Sequence, residues 1–164
     1  RIFFLKVWSI IHMMKQQKSE DKKETNPGVL RVALCVLYTQ EKRILIQHRD
    51  GNAERYPRLW GFFGGRIEQG ETPNQAVVRE ATEKLGYTLR RPQLGITQDF
   101  WDEHGIGIKY AFITPYDARQ EIHLQESAGF MWTDKDLTQF LPMTDHDRDL
   151  LRDIARLLEG AEKK

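Results

Sequence analysis

Glu80 and Glu83 stand three residues apart in the stretch REATEKLG, with Arg79 before the first and Lys84 directly after the second. On a helix, residues three and four apart share a face, so the two carboxylates converge and Lys84 lies beside both. Like charges at such spacing destabilise a helix by roughly 0.2–0.5 kcal/mol, which a solvated face tolerates and which a bound cation would reverse. Glu80 and Lys84, four apart with the acid first, also have the favourable order for a helix ion pair. Two readings follow from these residues: a surface charge cluster, or a carboxylate pair around a cation whose place Lys84 partly takes.

The signals around them require a helix. Thr72, Pro73 and Gln75 provide a cap, a proline at the first helical position and the second half of a capping box. Gly86 provides a left-handed stop. Val77, Ala81 and Leu85 follow at four-residue spacing and form the side that faces a core. Upstream, VLRVALCVLY (29–38) and RILIQHR (43–49) read as two strands of a hairpin across TQEK, and RLWGFFGG as a strand running into a tight backbone feature. Downstream, LGITQDFW and IGIKYAFITPY read as strands joined across DEHG, with a further strand at AGFMW. Leu150, Leu151, Ile154, Leu157 and Leu158 make one apolar stripe on a closing helix. Strands, helix, strands, helix imply an α+β fold, an α/β/α sandwich with a mixed β-sheet between helices.

At 164 residues the chain suits one domain, expected over residues 28–160. Residues 1–27 end in a polar, charge-mixed run without periodicity and are expected to be a flexible extension. Their opening segment, RIFFLKVWSIIHMM, is interrupted by Lys6 and His12 and falls short of the roughly 20 apolar residues a membrane span needs. A net charge of +1, with both signs mixed, lacks the basic footprint of a protein that binds duplex nucleic acid or an anionic membrane. Any phosphate binding must therefore be local. The single cysteine, Cys35, excludes an internal disulfide, fits a reducing cytoplasm and reads as a buried strand residue.

From Gly65 to Tyr87 the spacing is Gly65, five residues, Glu71, seven residues, Arg79 and Glu80, two residues, Glu83, two residues, then Gly86 and Tyr87. This pattern resembles the Nudix box over its whole length. It departs at Lys84, where the family carries a second successive acidic residue, and at Ala81, where a bulkier aliphatic is usual. The resemblance implies a hydrolase that cleaves the pyrophosphate linkage of a nucleoside diphosphate joined to a further group X. Nucleoside triphosphates, nucleotide sugars and dinucleotides all qualify as its small-molecule nucleotide substrate. It also implies Mg²⁺ or Mn²⁺, with Glu80 and Glu83 as metal ligands and a carbonyl from Gly64 or Gly65 completing the protein's share. The chemistry agrees, because a pyrophosphate is polyanionic and repels hydroxide, and divalent cations neutralise that charge and activate water. By the same resemblance Arg79 orients the site, by pairing with Glu71, and Glu126, six residues before Trp132, reaches the metal or activates water.

Lys84 has three donors and no acceptor as an ammonium, so it cannot ligate Mg²⁺. It either neutralises the acidic face or reaches a substrate phosphate as a fixed charge. A Nudix module that binds nucleotide with weakened or absent turnover is thus the alternative to the hydrolase. Arg49 and Arg66, with Arg55 and Arg58, surround the loop before the box and suit phosphates. Trp101, with Tyr56, Trp60, Phe100 and Tyr110, offers a surface for base stacking, and His48 and His104 are candidate proton carriers. Monomer and homodimer both remain open.

Overall fold

The central strand is encoded by the run VLRVALCVLY. In β1 (Val29–Tyr38) the side chains of Ala33, Cys35 and Leu37 enter one hydrophobic layer and those of Leu34 and Val36 the other, all of them buried. A strand covered on both faces has no polar side to show, hence the unbroken apolar sequence after Arg31. The computed structural model describes residues 28–161, so the extension expected over 1–27 lies outside the described residues.

After β1 come β2 (Ile44–His48), β3 (Trp60–Gly61), β4 (Phe63–Arg66), α1 (Pro73–Leu85), β5 (Leu94–Asp102) and β6 (Gly105–Pro115). The chain closes with β7 (Gly129–Thr133), α2 (Lys135–Thr138) and α3 (Asp145–Gly160). Among the described residues the seven strands form one sheet of order β3-β2-β1-β6-β5, with β4 also on β1 and β7 on β2. β1 and β6 run parallel from Val29↔Ile106 to Tyr38↔Pro115, and the remaining pairings are antiparallel. This is the expected mixed sheet.

The expected hairpin between β1 and β2 is made at its turn, where Thr39 N donates to Arg43 O at 2.9 Å and Tyr38 pairs with Ile44. Beyond that pair the strands part, and β4 takes over the edge of β1 with Cys35↔Phe63, Leu34↔Gly64, Ala33↔Gly65 and Val32↔Arg66. The glycines are required there. Gly64 has φ +151, and a Cβ on it would collide with the Ala33 carbonyl.

The two layers flank the sheet. Ala76, Val77, Ala81 and Leu85 of α1 pack with Ala33, Cys35, Leu37, Phe63 and Phe112. Leu150, Leu151, Ile154 and Leu158 of α3 pack with Leu34, Val36, Ile44, Ile46 and Phe62. Leu157 is 47% exposed, because at about 100° per residue it falls on the rim of the arc that its neighbours centre. Helix α1 is capped as its sequence predicts: Thr72 Oγ1 accepts from Gln75 N at 3.2 Å, Gln75 Oε1 accepts from Thr72 N at 2.9 Å, and Gly86 closes the helix at φ 58. The single turn α2, capped by Asp134, is too short to show a periodic pattern. Among the described residues no helix is long and apolar enough to cross a membrane.

Candidate active site

Glu80 is only 6% exposed although it is charged. Its room comes from Gly65 on β4, since a Cβ at that position would overlap the Glu80 carboxylate. A buried carboxylate needs compensating charge, and α1 supplies one cation for each oxygen. Arg79 Nη1 donates to Glu80 Oε1 at 2.8 Å. Oε2 accepts no hydrogen bond among the described residues, but Lys84 Nζ faces it at 3.6 Å.

Arg79 fastens the loop before α1 to the helix. Its Nε and Nη2 donate to the two oxygens of Glu71 at 2.8 and 2.9 Å, and Nη2 also donates to the Arg66 carbonyl at 3.1 Å. The expected pair with Glu71 is therefore present, in the two-pronged form that guanidinium geometry favours. The hydrogen bonds from Arg79 draw the Glu71 carboxyl below its ordinary value. Nη1 reaches Glu83 Oε2 as well, at 3.2 Å. The point between Glu80 and Glu83 where the sequence places a cation is thus held by a nitrogen of Arg79.

Lys84 reaches further than its own helix. Its ammonium donates to the Gly64 carbonyl at 2.8 Å and stands 3.9 Å from Glu126 Oε2. Glu126 lies on an exposed loop that Gln125 N ties to the Lys84 carbonyl at 3.0 Å and Ala128 N ties to the His48 carbonyl at 3.0 Å. Gly64 O, Glu80 Oε2 and Glu126 Oε2 all face this one nitrogen.

Beside Lys84 opens a cavity of about 280 Å³, with Arg49, Arg66, Lys109, Tyr56 and Phe100 in its wall. Lys109 is 4% exposed and donates to Asp147 Oδ1 at 2.6 Å, with His146 Nδ1 also 2.6 Å from its nitrogen. Arg49 Nη2 meets the other oxygen of Asp147 at 3.4 Å, and its guanidinium lies over the Tyr56 ring at 5.4 Å. Burial lowers the Lys109 ammonium from its ordinary value, partly countered by Asp147. Burial alone would raise the Asp147 carboxyl, but His146, Lys109 and Arg49 together hold it well below the carboxylate range. Burial and the hydrogen bond to Asp102 push the Tyr56 phenol up.

The structure brings Arg49, Arg66, Gly64, Gly65 and Lys84 to this cavity, with Glu80 and Glu126 against Lys84, Arg79 against the Arg66 carbonyl, and Glu83 one contact further out on Arg79. Trp101 stands apart, 79% exposed, in the neighbouring groove with Asp99 and Glu103. His48 is stacked on Trp60 at 4.9 Å with Nε2 bonded to the Arg58 carbonyl, and His104 meets Tyr56 edge-on at 5.3 Å. Lys109 and Asp147 escaped the sequence reading. The signal for Lys109 was present, because it shares the buried parity of β6 with Gly107 and Ala111. Asp147 resembles an ordinary acid in a first helical turn, and nothing in the sequence separates the two.

The donors around Lys84 are all oxygens, which suits Mg²⁺ or Mn²⁺. The ammonium, however, already occupies the point they face, and a divalent ion does not fit between Gly64 O and Glu80 with Lys84 in place. Among the described residues no group of three or more His, Cys, Asp or Glu is gathered to hold a metal. Of the carboxylates that Arg79 and Lys84 contact, Glu83, 55% exposed, and Glu126, 68% exposed, face solvent.

The NUDIX domain model matches residues 29–154. An uncharacterized Nudix hydrolase of Bacillus subtilis (strain 168), YvcI, is 30% identical over 128 residues, covering 74% of this chain and 76% of that protein. The 8-oxo-dGTP diphosphatase of Escherichia coli (strain K12) is 38% identical over 77 residues, covering 46% of this chain and 59% of that protein. In fold, the crystal structure of a MutT protein from Methanosarcina mazei Go1 superposes with a TM-score of 0.70 at 17% identity, over 81% of this chain and 97% of the other.

Proposed function

Because the chain belongs to the NUDIX domain family, whose hydrolases act on pyrophosphate linkages of nucleotides, we propose that it cleaves a nucleoside diphosphate joined to a group X. Nucleoside triphosphates are the first candidates, since the similar E. coli protein is an 8-oxo-dGTP diphosphatase; nucleotide sugars and dinucleotides follow. The observation that carries this reading is the cavity in which Arg49, Arg66, Lys84 and Lys109 share a wall beside the buried carboxylate of Glu80. Arg55 adds a fifth cation to that wall against two acids, Glu54 and Asp147, and a polyphosphate is the ligand that the excess would compensate.

In this reading Arg49 and Arg66 bind phosphate oxygens, while Tyr56 or Trp101 stacks on the base. Arg79 positions Glu80, Glu83 and the loop of Glu71. Glu126, on its exposed loop, takes the proton of the attacking water, whose oxygen bonds to phosphorus as the bridging oxygen leaves. Glu83 would hold Mg²⁺ or Mn²⁺ together with phosphate oxygens, and such an ion neutralises phosphate charge and makes water a better nucleophile. The buried thiol of Cys35 suits a cytoplasmic protein, acting as a monomer or homodimer.

A second reading, a nucleotide-binding module with weakened turnover, draws on one observation, the ammonium of Lys84 lodged against Gly64 O. A screen for nucleoside monophosphate release over the three substrate classes, with Mg²⁺ and with Mn²⁺ and beside a Glu80→Gln control, separates them. Release by the wild type and not by the control supports the hydrolase. Nucleotide binding by calorimetry without any release supports the module.

A further inference from the structure

We propose that the Lys84 ammonium is a tethered cation that fills the inner oxygen site of α1, so that Gly64 O and Glu80 are closed to divalent ions in this protein. The ammonium is hydrogen-bonded to one oxygen, Gly64 O at 2.8 Å, and ion-paired at longer range with two more, Glu80 Oε2 at 3.6 Å and Glu126 Oε2 at 3.9 Å. Glu80 Oε2 is the independent sign that a cation belongs there. It is a buried oxygen with no hydrogen bond among the described residues, on a carboxylate that is almost wholly withdrawn from water, and such a group persists only opposite positive charge.

An ordinary helix ion pair would look different. Exposed pairs four residues apart contribute little to stability and leave both side chains in solvent. Lys84 instead is 22% exposed and hydrogen-bonds a carbonyl twenty residues away, on a strand. That carbonyl is fixed by the pairing of Gly64 with Leu34, and no Cβ is tolerated beside it. The oxygen positions are therefore set by the sheet, and the ammonium is delivered to them by a covalent stem from α1.

A tethered ammonium differs from a metal ion in three ways. It carries one charge, it cannot be chelated away, and its remaining donors stay available to a phosphate. Lys84 lines the cavity together with Arg49 and Arg66, so the same residue whose charge faces Glu80 Oε2 also forms part of the wall that a pyrophosphate would meet. The consequence for turnover, a reaction needing one divalent ion fewer, rests on the hydrolase reading; the closure of the inner site does not.

The test is a Mn²⁺ titration of the full chain without nucleotide, followed by electron paramagnetic resonance of free Mn²⁺ and by melting temperature. Wild type, Lys84→Glu and the uncharged Lys84→Met are compared. The expected result is no Mn²⁺-dependent rise in melting temperature for the wild type. Lys84→Glu should bind Mn²⁺ at least tenfold more tightly and melt higher with it, with Lys84→Met between the two. If Lys84→Glu does not fold, the Met variant carries the comparison. Equal Mn²⁺ affinity in wild type and variants, with paramagnetic broadening of the Gly64 and Gly65 amide signals in each, overturns the inference. Nucleoside monophosphate release measured in parallel keeps the two readings apart. Turnover with equal Mn²⁺ affinities sinks this inference alone, whereas the expected affinities without turnover in any form sink only the hydrolase.

Discussion

Lys109 Nζ lies 2.6 Å from Asp147 Oδ1, tying the middle of β6 to the first turn of α3 through two side chains that are nearly inaccessible to water. Removing one partner of such a pair strands the other charge in the interior. Asp147→Ala should therefore destabilise the protein by about 3–5 kcal/mol, read as a shift of the urea unfolding midpoint. The double change Lys109→Met with Asp147→Leu should recover much of that loss. Additive losses from the two sites would show that the pair is not what holds β6 to α3.

Acid should act through the same carboxylate. Asp147 is held below the ordinary carboxylate value in the folded protein, so below about pH 3.9 the unfolded chain binds the extra proton first. Its contribution to stability is complete above that pH and is lost as pH falls toward the folded value. Melting temperatures from pH 5 to pH 3 should fall more steeply for wild type than for Asp147→Asn. Parallel curves would remove Asp147 from the acid response.

Gly65 gives Glu80 its place. Gly65→Ala puts a methyl where the carboxylate lies, at an overpacking cost of about 1–3 kcal/mol. The carboxylate should be driven out of its bond to Arg79, so nucleoside monophosphate release should fall far more than stability. A variant of normal activity would show that Glu80 works from elsewhere.

Arg79 spans three carboxylates with one planar group, a reach that lysine's point charge does not have. Arg79→Lys should lower kcat by roughly tenfold or more, equivalent to about 1.4 kcal/mol of transition-state stabilisation, with a smaller change in KM. A change confined to KM would mark Arg79 as a substrate contact instead of a positioning residue.

Glu80→Gln discriminates between a decorative acidic face and a built site. A solvated cluster should gain slightly in stability when one charge is removed. Here the change leaves Arg79 and Lys84 short of a shared carboxylate, so a loss of about 1–3 kcal/mol is expected, together with loss of turnover. Increased stability with full activity would contradict both expectations.

The sequence alone determined the local backbone and the residues available for chemistry. The Thr72–Gln75 capping box, the left-handed Gly86 and the strand over VLRVALCVLY follow from short-range rules of propensity, periodicity and spacing, and all are present; the pairing of Arg79 with Glu71, also present, was implied by the resemblance to the box. The box spacing likewise pointed to the family. The tertiary structure decided where the charges meet. Lys84 finds Gly64 O because β4, not the length of β2, pairs along β1; Glu80 is buried because β4 sets Gly65 opposite it; Trp101 faces outward while Lys109 faces inward to Asp147. Each of these depends on strand register and on the packing of a helix against a distant strand. Side-chain partners of that kind are fixed by the whole sheet at once, and no window of neighbouring residues contains them.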